Sequence, residues 1–230
     1  MSKIDFDRTI GLISQDNFDS IQTKTICVIG LGGVGGTALE SLARIGFTKF
    51  VIIDKDIVDP TNLNRQILYT ECDLFKSKVE SAGKYLKMIN KEIELVSYNS
   101  NINDINLEQV LLNNKVDFVV DAIDDVKGKI YIASICLQNN INFIMSLGMA
   151  NRFDPSKVSI KLLDKTTDDP LAKKIRYEVR KEGLNSKNIT CVFSTETPKK
   201  DGTKLNSIIT VPSSAGLNIA YYTLMNFIKE

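Results

Sequence analysis

The stretch TICVIGLGGVGGTALESLARIG, Thr25 to Gly46, decides the architecture. Thr25–Gly30 is a short apolar run, the mark of a buried strand, and GVGGTALESLARIG continues as a helix opened by glycines. Gly30, Gly32 and Gly35 have the GxGxxG spacing, and Gly33 belongs to the same turn. Between a strand and a helix such glycines let backbone N–H groups and a helix N-terminus approach a phosphate with no Cβ in the way. On its own this pattern is a weak signal, because glycines after a strand also serve plain tight turns.

Outward from this unit the same alternation repeats. KFVIID (49–54) reads as the second strand, KSKVESAGKYLKMIN (76–90) as a helix, and ELVSYN as the strand after it. DFVVDAID (117–124), a helix from about Lys127 to Asn139, and NFIMSLG (142–148) complete the set. Strands alternating with helices predict an α/β fold, a doubly wound, Rossmann-like and mostly parallel sheet, with ligands at the carboxyl ends of its strands. Beyond Gly148 the pattern changes. KVSIKLLD (157–164) reads as a strand, and Asp169 as an N-cap before Pro170 opens a basic helix ending near Gly183. Asn185 to Leu205 is polar and turn-rich and is expected to be a long surface loop. SIITV (207–211) and an apolar helix from about Ser213 to Phe227 close the chain. The organisation expected is one domain over 1–230, with a nucleotide-binding half at 1–150 and a C-terminal extension at 151–230.

Composition removes whole classes of chemistry. The 230 residues include no histidine, which excludes Ser-His-Asp and Cys-His nucleophile systems, imidazole proton shuttles and His-ligated metals. Cys27, Cys72, Cys136 and Cys191 are far apart and form no CxxC pair, so neither a zinc site nor a disulfide framework is indicated. No segment has the length of a membrane span, and MSKIDFDRT lacks an apolar signal core, so a cytoplasmic protein is expected. The net charge of +1 is unevenly spread: residues 1–156 hold 16 Lys/Arg against 20 Asp/Glu, and 157–200 hold 11 against 6. A basic segment of this kind is either a solvated face or the seat of an anionic partner.

Asp54, at the end of the second strand, stands where a carboxylate takes the hydroxyls of a ribose. With the glycines alone, an NAD enzyme would be the default. Two features oppose it. DKDIVDPTNLNRQ (54–66) places Asp56, Asn62, Arg65 and Gln66 within a dozen residues, a density of donors and acceptors suited to a polyphosphate and its metal. Lys78, in FKSKVES, and Asp124, in VVDAIDD, add the cation and the Mg²⁺-binding carboxylate that nucleotidyl transfer requires. Taken singly, Lys78 is also readable as a solvated lysine, and Asp121 or Asp124 as a helix cap.

GLGGVGG, DKDIVD, NLNRQ, KSKVE and DAIDD, in this order, resemble the adenylation domain of the ubiquitin-activating superfamily, which includes the adenylyltransferases of molybdopterin and thiamin synthesis. The resemblance implies that ATP and Mg²⁺ are bound, that Asp54 holds the ribose, that Asn62, Arg65 and Lys78 bind and polarise the phosphates, and that Asp124 works with Mg²⁺. It also implies that Arg8, in FDRT, reaches the triphosphate of a neighbouring subunit. Within the superfamily, SLGMANRFDPSKVSI, DPLAKKIRYEVRKEGL, the VFSTE box (192–196) and SIITVPSSAGLNIA are similar to the tRNA threonylcarbamoyladenosine dehydratases, over nearly the whole chain. That likeness implies a homodimer acting on the modified adenosine beside the anticodon, with Lys173, Lys174, Arg176, Arg180 and Lys181 on the tRNA. It leaves open a monovalent cation, a sulfur-relay partner and a thioester at Cys191. The alternatives are an adenylyltransferase for the C-terminus of a small sulfur carrier, an NAD(P) oxidoreductase, and a binding module without catalysis.

Overall fold

A computed structural model describes residues 4–199 and 205–228. Seven strands form one sheet: β1 (Thr25–Ile29), β2 (Lys49–Ile53), β3 (Glu94–Tyr98), β4 (Phe118–Asp121), β5 (Asn142–Ser146), β6 (Val158–Leu162) and β7 (Thr190–Ser194). Their order across the sheet is β3-β2-β1-β4-β5-β7-β6. All neighbouring pairs are parallel except β6 with β7. The chain leaves β1 toward β2 on one side and returns to β4 on the other, so a crevice opens above the carboxyl ends of β1 and β4, the position at which doubly wound sheets bind ligands.

Alternating residues of each strand feed two cores. On one face Ile26 and Val28 of β1 pack with α3 (Gly33–Ile45), α4 (Lys78–Ile89) and α8 (Thr210–Met225). On the other, Cys27 and Ile29 pack with α5 (Leu107–Asn113), α6 (Val126–Gln138) and α7 (Pro170–Lys181). The central strands are buried on both faces, which is why they read as continuous apolar runs rather than as alternating ones. Two short helices, α1 (Asp7–Ile13) and α2 (Gln15–Gln22), precede β1, and Phe6 and Phe18 stack there with ring centroids 5.1 Å apart. Among the described residues no helix is long and apolar enough to cross a membrane.

Two expectations are corrected. The stretch Asn185–Leu205 is not a surface loop throughout: Thr190–Ser194 is β7, buried between β5 and β6. Residues 200–204 of that stretch lie outside the described part. SIITV does not stand apart from the last helix, because α8 begins at Thr210.

Candidate nucleotide site

A cavity of about 330 Å³ occupies the crevice. Gly30, Gly32, Gly33, Asp54, Asp56, Asn62, Arg65, Gln66, Lys78 and Asp124 all line it, though they come from five separate segments of the chain. Gly30 has φ +88°, open to glycine without strain, and a Cβ there would stand 2.8 Å from the Ala122 carbonyl of the neighbouring strand. Gly35 is different. It does not line the cavity, and a Cβ on it would sit 1.8 Å from the Gly30 oxygen. The third glycine of the motif therefore seats α3 against the turn rather than meeting a phosphate.

The polar groups are held in place by one another. The Asp54 carboxylate accepts the Leu31 N–H at 2.6 Å and the Asp56 N–H at 2.8 Å, tying the glycine turn to the loop after β2. Lys78, buried at the first turn of α4, donates from Nζ to Asp56 Oδ2 at 2.9 Å. Arg65 lies folded on its own turn, its Nη1 donating to the Thr61 carbonyl at 2.6 Å and to Asn64 Oδ1 at 2.9 Å. Asn62 accepts the Asp59 N–H at 3.2 Å while facing the cavity. Gln66 is buried, and its Oε1 has no partner among the described residues, an unmet polar group in the wall of the cavity.

Asp124 is exposed at the rim. Neither it nor Asp121 caps α6: the cap is Asp125, which accepts the Gly128 N–H at 2.8 Å. Asp121 instead lies under the floor of the site and accepts from Lys129 Nζ at 2.8 Å, with both side chains fully buried. Burial pushes the Asp121 carboxyl up, with Lys129 pulling against it. The sequence held a signal for this pair that the reading passed over: Lys129 sits at i, i+3, i+4, i+7 spacing with Ile132, Ala133 and Cys136, on the buried stripe of α6. Lys55 and Asp125, inside the DKDIVD and DAIDD blocks, and Ser100 and Asn101, which carried no motif, also line the cavity close to strand ends.

Elsewhere the blocks singled out in the C-terminal half knot together. Buried Arg152 donates to the Ser194 carbonyl at 3.0 Å and lies 3.6 Å from Asp169. Asp169 accepts the Gly148 N–H at 3.1 Å and caps α7 through the Ala172 N–H at 3.0 Å. Glu196 accepts the Phe153 and Asp154 N–H groups at 2.9 and 2.8 Å. Cys191 is fully buried in β7, where burial pushes its thiol up and keeps it protonated. On α7 the side chains of Lys173, Lys174, Arg180 and Lys181 are exposed. Arg176 is not among them, because it turns inward onto the Leu163 and Thr166 carbonyls. Arg8, exposed on α1, does not line the cavity of its own chain. Among the described residues no three His, Cys, Asp or Glu side chains are grouped to hold a metal.

Known proteins resemble this chain over nearly its whole length. Residues 6–214 match the ThiF family. The tRNA threonylcarbamoyladenosine dehydratase of Bacillus subtilis is 32% identical over 98% of this chain and 95% of its own. That of Escherichia coli is 36% identical over 77% of this chain and 69% of its own. The crystal structure of the Escherichia coli enzyme, TcdA, in complex with ATP superposes with a TM-score of 0.89 at 30% identity, covering 96% of this chain and 93% of that one.

Proposed function

The chain belongs to the ThiF family, and from that premise we propose that it is an ATP-dependent tRNA threonylcarbamoyladenosine dehydratase, converting the modified adenosine beside the anticodon to its cyclic form. The observation that carries this reading is the joint placement of Arg65, Lys78 and Asp124 with the glycine turn around one cavity that no cysteine lines, in a protein without histidine. Such a site activates a carboxylate and leaves its capture to the substrate.

The steps balance without a protein nucleophile. The threonine carboxylate of the substrate attacks the α-phosphate of ATP, the bond to the bridging oxygen breaks, and pyrophosphate leaves an acyl adenylate. Lys78 and Arg65 exchange their internal partners, Asp56 and the Thr61 carbonyl, for phosphate oxygens, and so meet charge as it develops. The urea nitrogen that bears the purine then attacks the activated carboxyl. Of the two urea nitrogens ring size selects this one, since it closes five atoms where the nearer nitrogen would close three. AMP departs and the nitrogen gives up its proton. Because this second step is intramolecular, effective molarities on the order of 10⁵ M or more replace an enzyme nucleophile.

Asp124 is the residue that would hold Mg²⁺. A single exposed carboxylate fits that ion, which keeps several waters and shares its remaining positions with substrate phosphates, where it offsets their charge. Gln66 Oε1 is a free acceptor for the nucleotide. The basic face of α7 supports tRNA as the partner, and the exposed Leu217 and Tyr221, one turn apart on the outer side of α8, support a homodimer in which Arg8 serves the neighbouring site. A protein acting on tRNA in this way works in the cytoplasm.

Lys78→Ala and Arg65→Ala should each lower tRNA-dependent AMP formation by roughly two orders of magnitude or more, with thermal unfolding little changed. Asp124→Asn should flatten the dependence on Mg²⁺. Near-normal turnover in all three variants contradicts the reading.

A further inference from the structure

We propose that Tyr177, on the outer face of α7, is a stacking platform for an unpaired nucleotide of the tRNA, and that the strand passes from it over Lys174 and Lys181 into the groove between α6 and α7, which shares its rim with the nucleotide cavity. This rests on the tRNA reading above and specifies where the RNA lies.

Three observations carry it. Tyr177 is 66% exposed on a helix whose opposite face, Ala172, Ile175 and Val179, is buried. Its i−4, i−3, i+3 and i+4 neighbours are Lys173, Lys174, Arg180 and Lys181, so cations stand one turn above and one turn below the ring, Lys181 lying 3.9 Å from the Glu178 carboxylate beside it. Single-stranded nucleic acid takes this arrangement, with cations on its phosphates and a base on the ring. Finally, a groove of about 930 Å³ runs between α6 and α7, with Lys174, Lys181, Glu178 and Glu182 on one side and Tyr131 and Ser134 on the other. At its far end stand Asp124 and Asp125, the same two residues that form the rim of the nucleotide cavity. A loop nucleotide stacked at Tyr177 would anchor the strand one helical turn from Lys174 and Lys181, in the wall of a groove that shares Asp124 and Asp125 with the nucleotide cavity.

The occupant is an unpaired loop rather than a duplex, because a paired base offers no face to the ring. The test is equilibrium binding, without ATP, of a transcribed anticodon stem-loop and of a fully paired duplex of equal length, to the wild type, Tyr177→Ala, Tyr177→Phe and the Lys173→Gln/Arg180→Gln double variant. Tyr177→Ala should weaken stem-loop binding by roughly 5- to 100-fold and leave duplex binding unchanged, and Tyr177→Phe should restore it. The slope of log K against log salt should be preserved in Tyr177→Ala and flattened in the double variant, by about 0.7 per lost phosphate contact. Equal stem-loop binding by the wild type and Tyr177→Ala, equal losses for loop and duplex, or no rescue by phenylalanine would overturn the proposal. Conversion of the modified tRNA at saturating concentration reports on the dehydratase reading separately: if the wild type fails there, that reading falls whatever the Tyr177 variants do.

Discussion

Lys78 and Asp56 form a bond of 2.9 Å in which one member is buried and the other half exposed. The pair holds a cation in the wall of the cavity, and in the reading proposed above phosphate oxygens replace the carboxylate. The cysteines show the opposite case, reactive groups put out of reach. Cys27, Cys136 and Cys191 are buried, and burial raises each of their thiols, so the thiolate that a thioester would need is scarce at neutral pH. Cys72 alone is exposed. Titration of the native protein with a thiol reagent should therefore label one cysteine rapidly, at Cys72, and all four only after unfolding; fast labelling of Cys191 in the native state would reopen the thioester route. At this scale the placement of a residue was most legible where a whole block marked it, as with Asp54, Arg65 and Lys78, which all line the cavity. It was least legible where one residue type has two uses. Gly35 has the spacing of a phosphate glycine but answers a packing demand 1.8 Å away, and Arg176 lies in a basic run yet spends its charge on the Leu163 and Thr166 carbonyls.

Among the elements, β1 to β5 with α3, α4 and α6 announce themselves through apolar runs and helical spacing, while α5 and β7 were not expected, and β7 is the more telling. Its five residues, TCVFS, continue from Ile189 as a short β-branched and apolar run, but Asn, Ser, Thr and Pro on both sides carry turn signals that mask it. Helix α6 carries the other hidden feature. Lys129 reads as a surface lysine but is wholly buried against Asp121, at the end of β4, immediately before the loop that bears Asp124. Removing one partner leaves an uncompensated buried charge, so Lys129→Met should destabilise the fold by about 3 to 5 kcal/mol, read as a lowered urea midpoint. The companion Asp121→Leu/Lys129→Met variant should recover most of that loss, since a buried pair replaced by apolar groups is often near neutral. A single variant as stable as the wild type would show that the pair does not hold the floor of the site.

Across the whole molecule, the sheet order places a glycine turn, the Asp54 carboxylate, the Arg65 and Lys78 cations and the rim carboxylate of Asp124 at the crevice where the chain reverses between β1 and β4. The basic surplus of residues 157–200 gathers largely on α7, beside the groove that reaches the same rim. The order of motifs made the fold and this crevice legible, but no sequence pattern announced the groove, because its walls come from two helices more than thirty residues apart and only the folded chain aligns them. What distinguishes this site from one that charges a carrier protein is the fate of the activated carboxyl. That fate is a mass. Incubated with ATP, Mg²⁺ and tRNA bearing threonylcarbamoyladenosine, then digested to nucleosides, the protein should yield a modified adenosine lighter by one water, with AMP and pyrophosphate released in equal amounts. An unchanged nucleoside mass, with adenylate appearing instead on the C-terminus of a small carrier protein, would contradict the account.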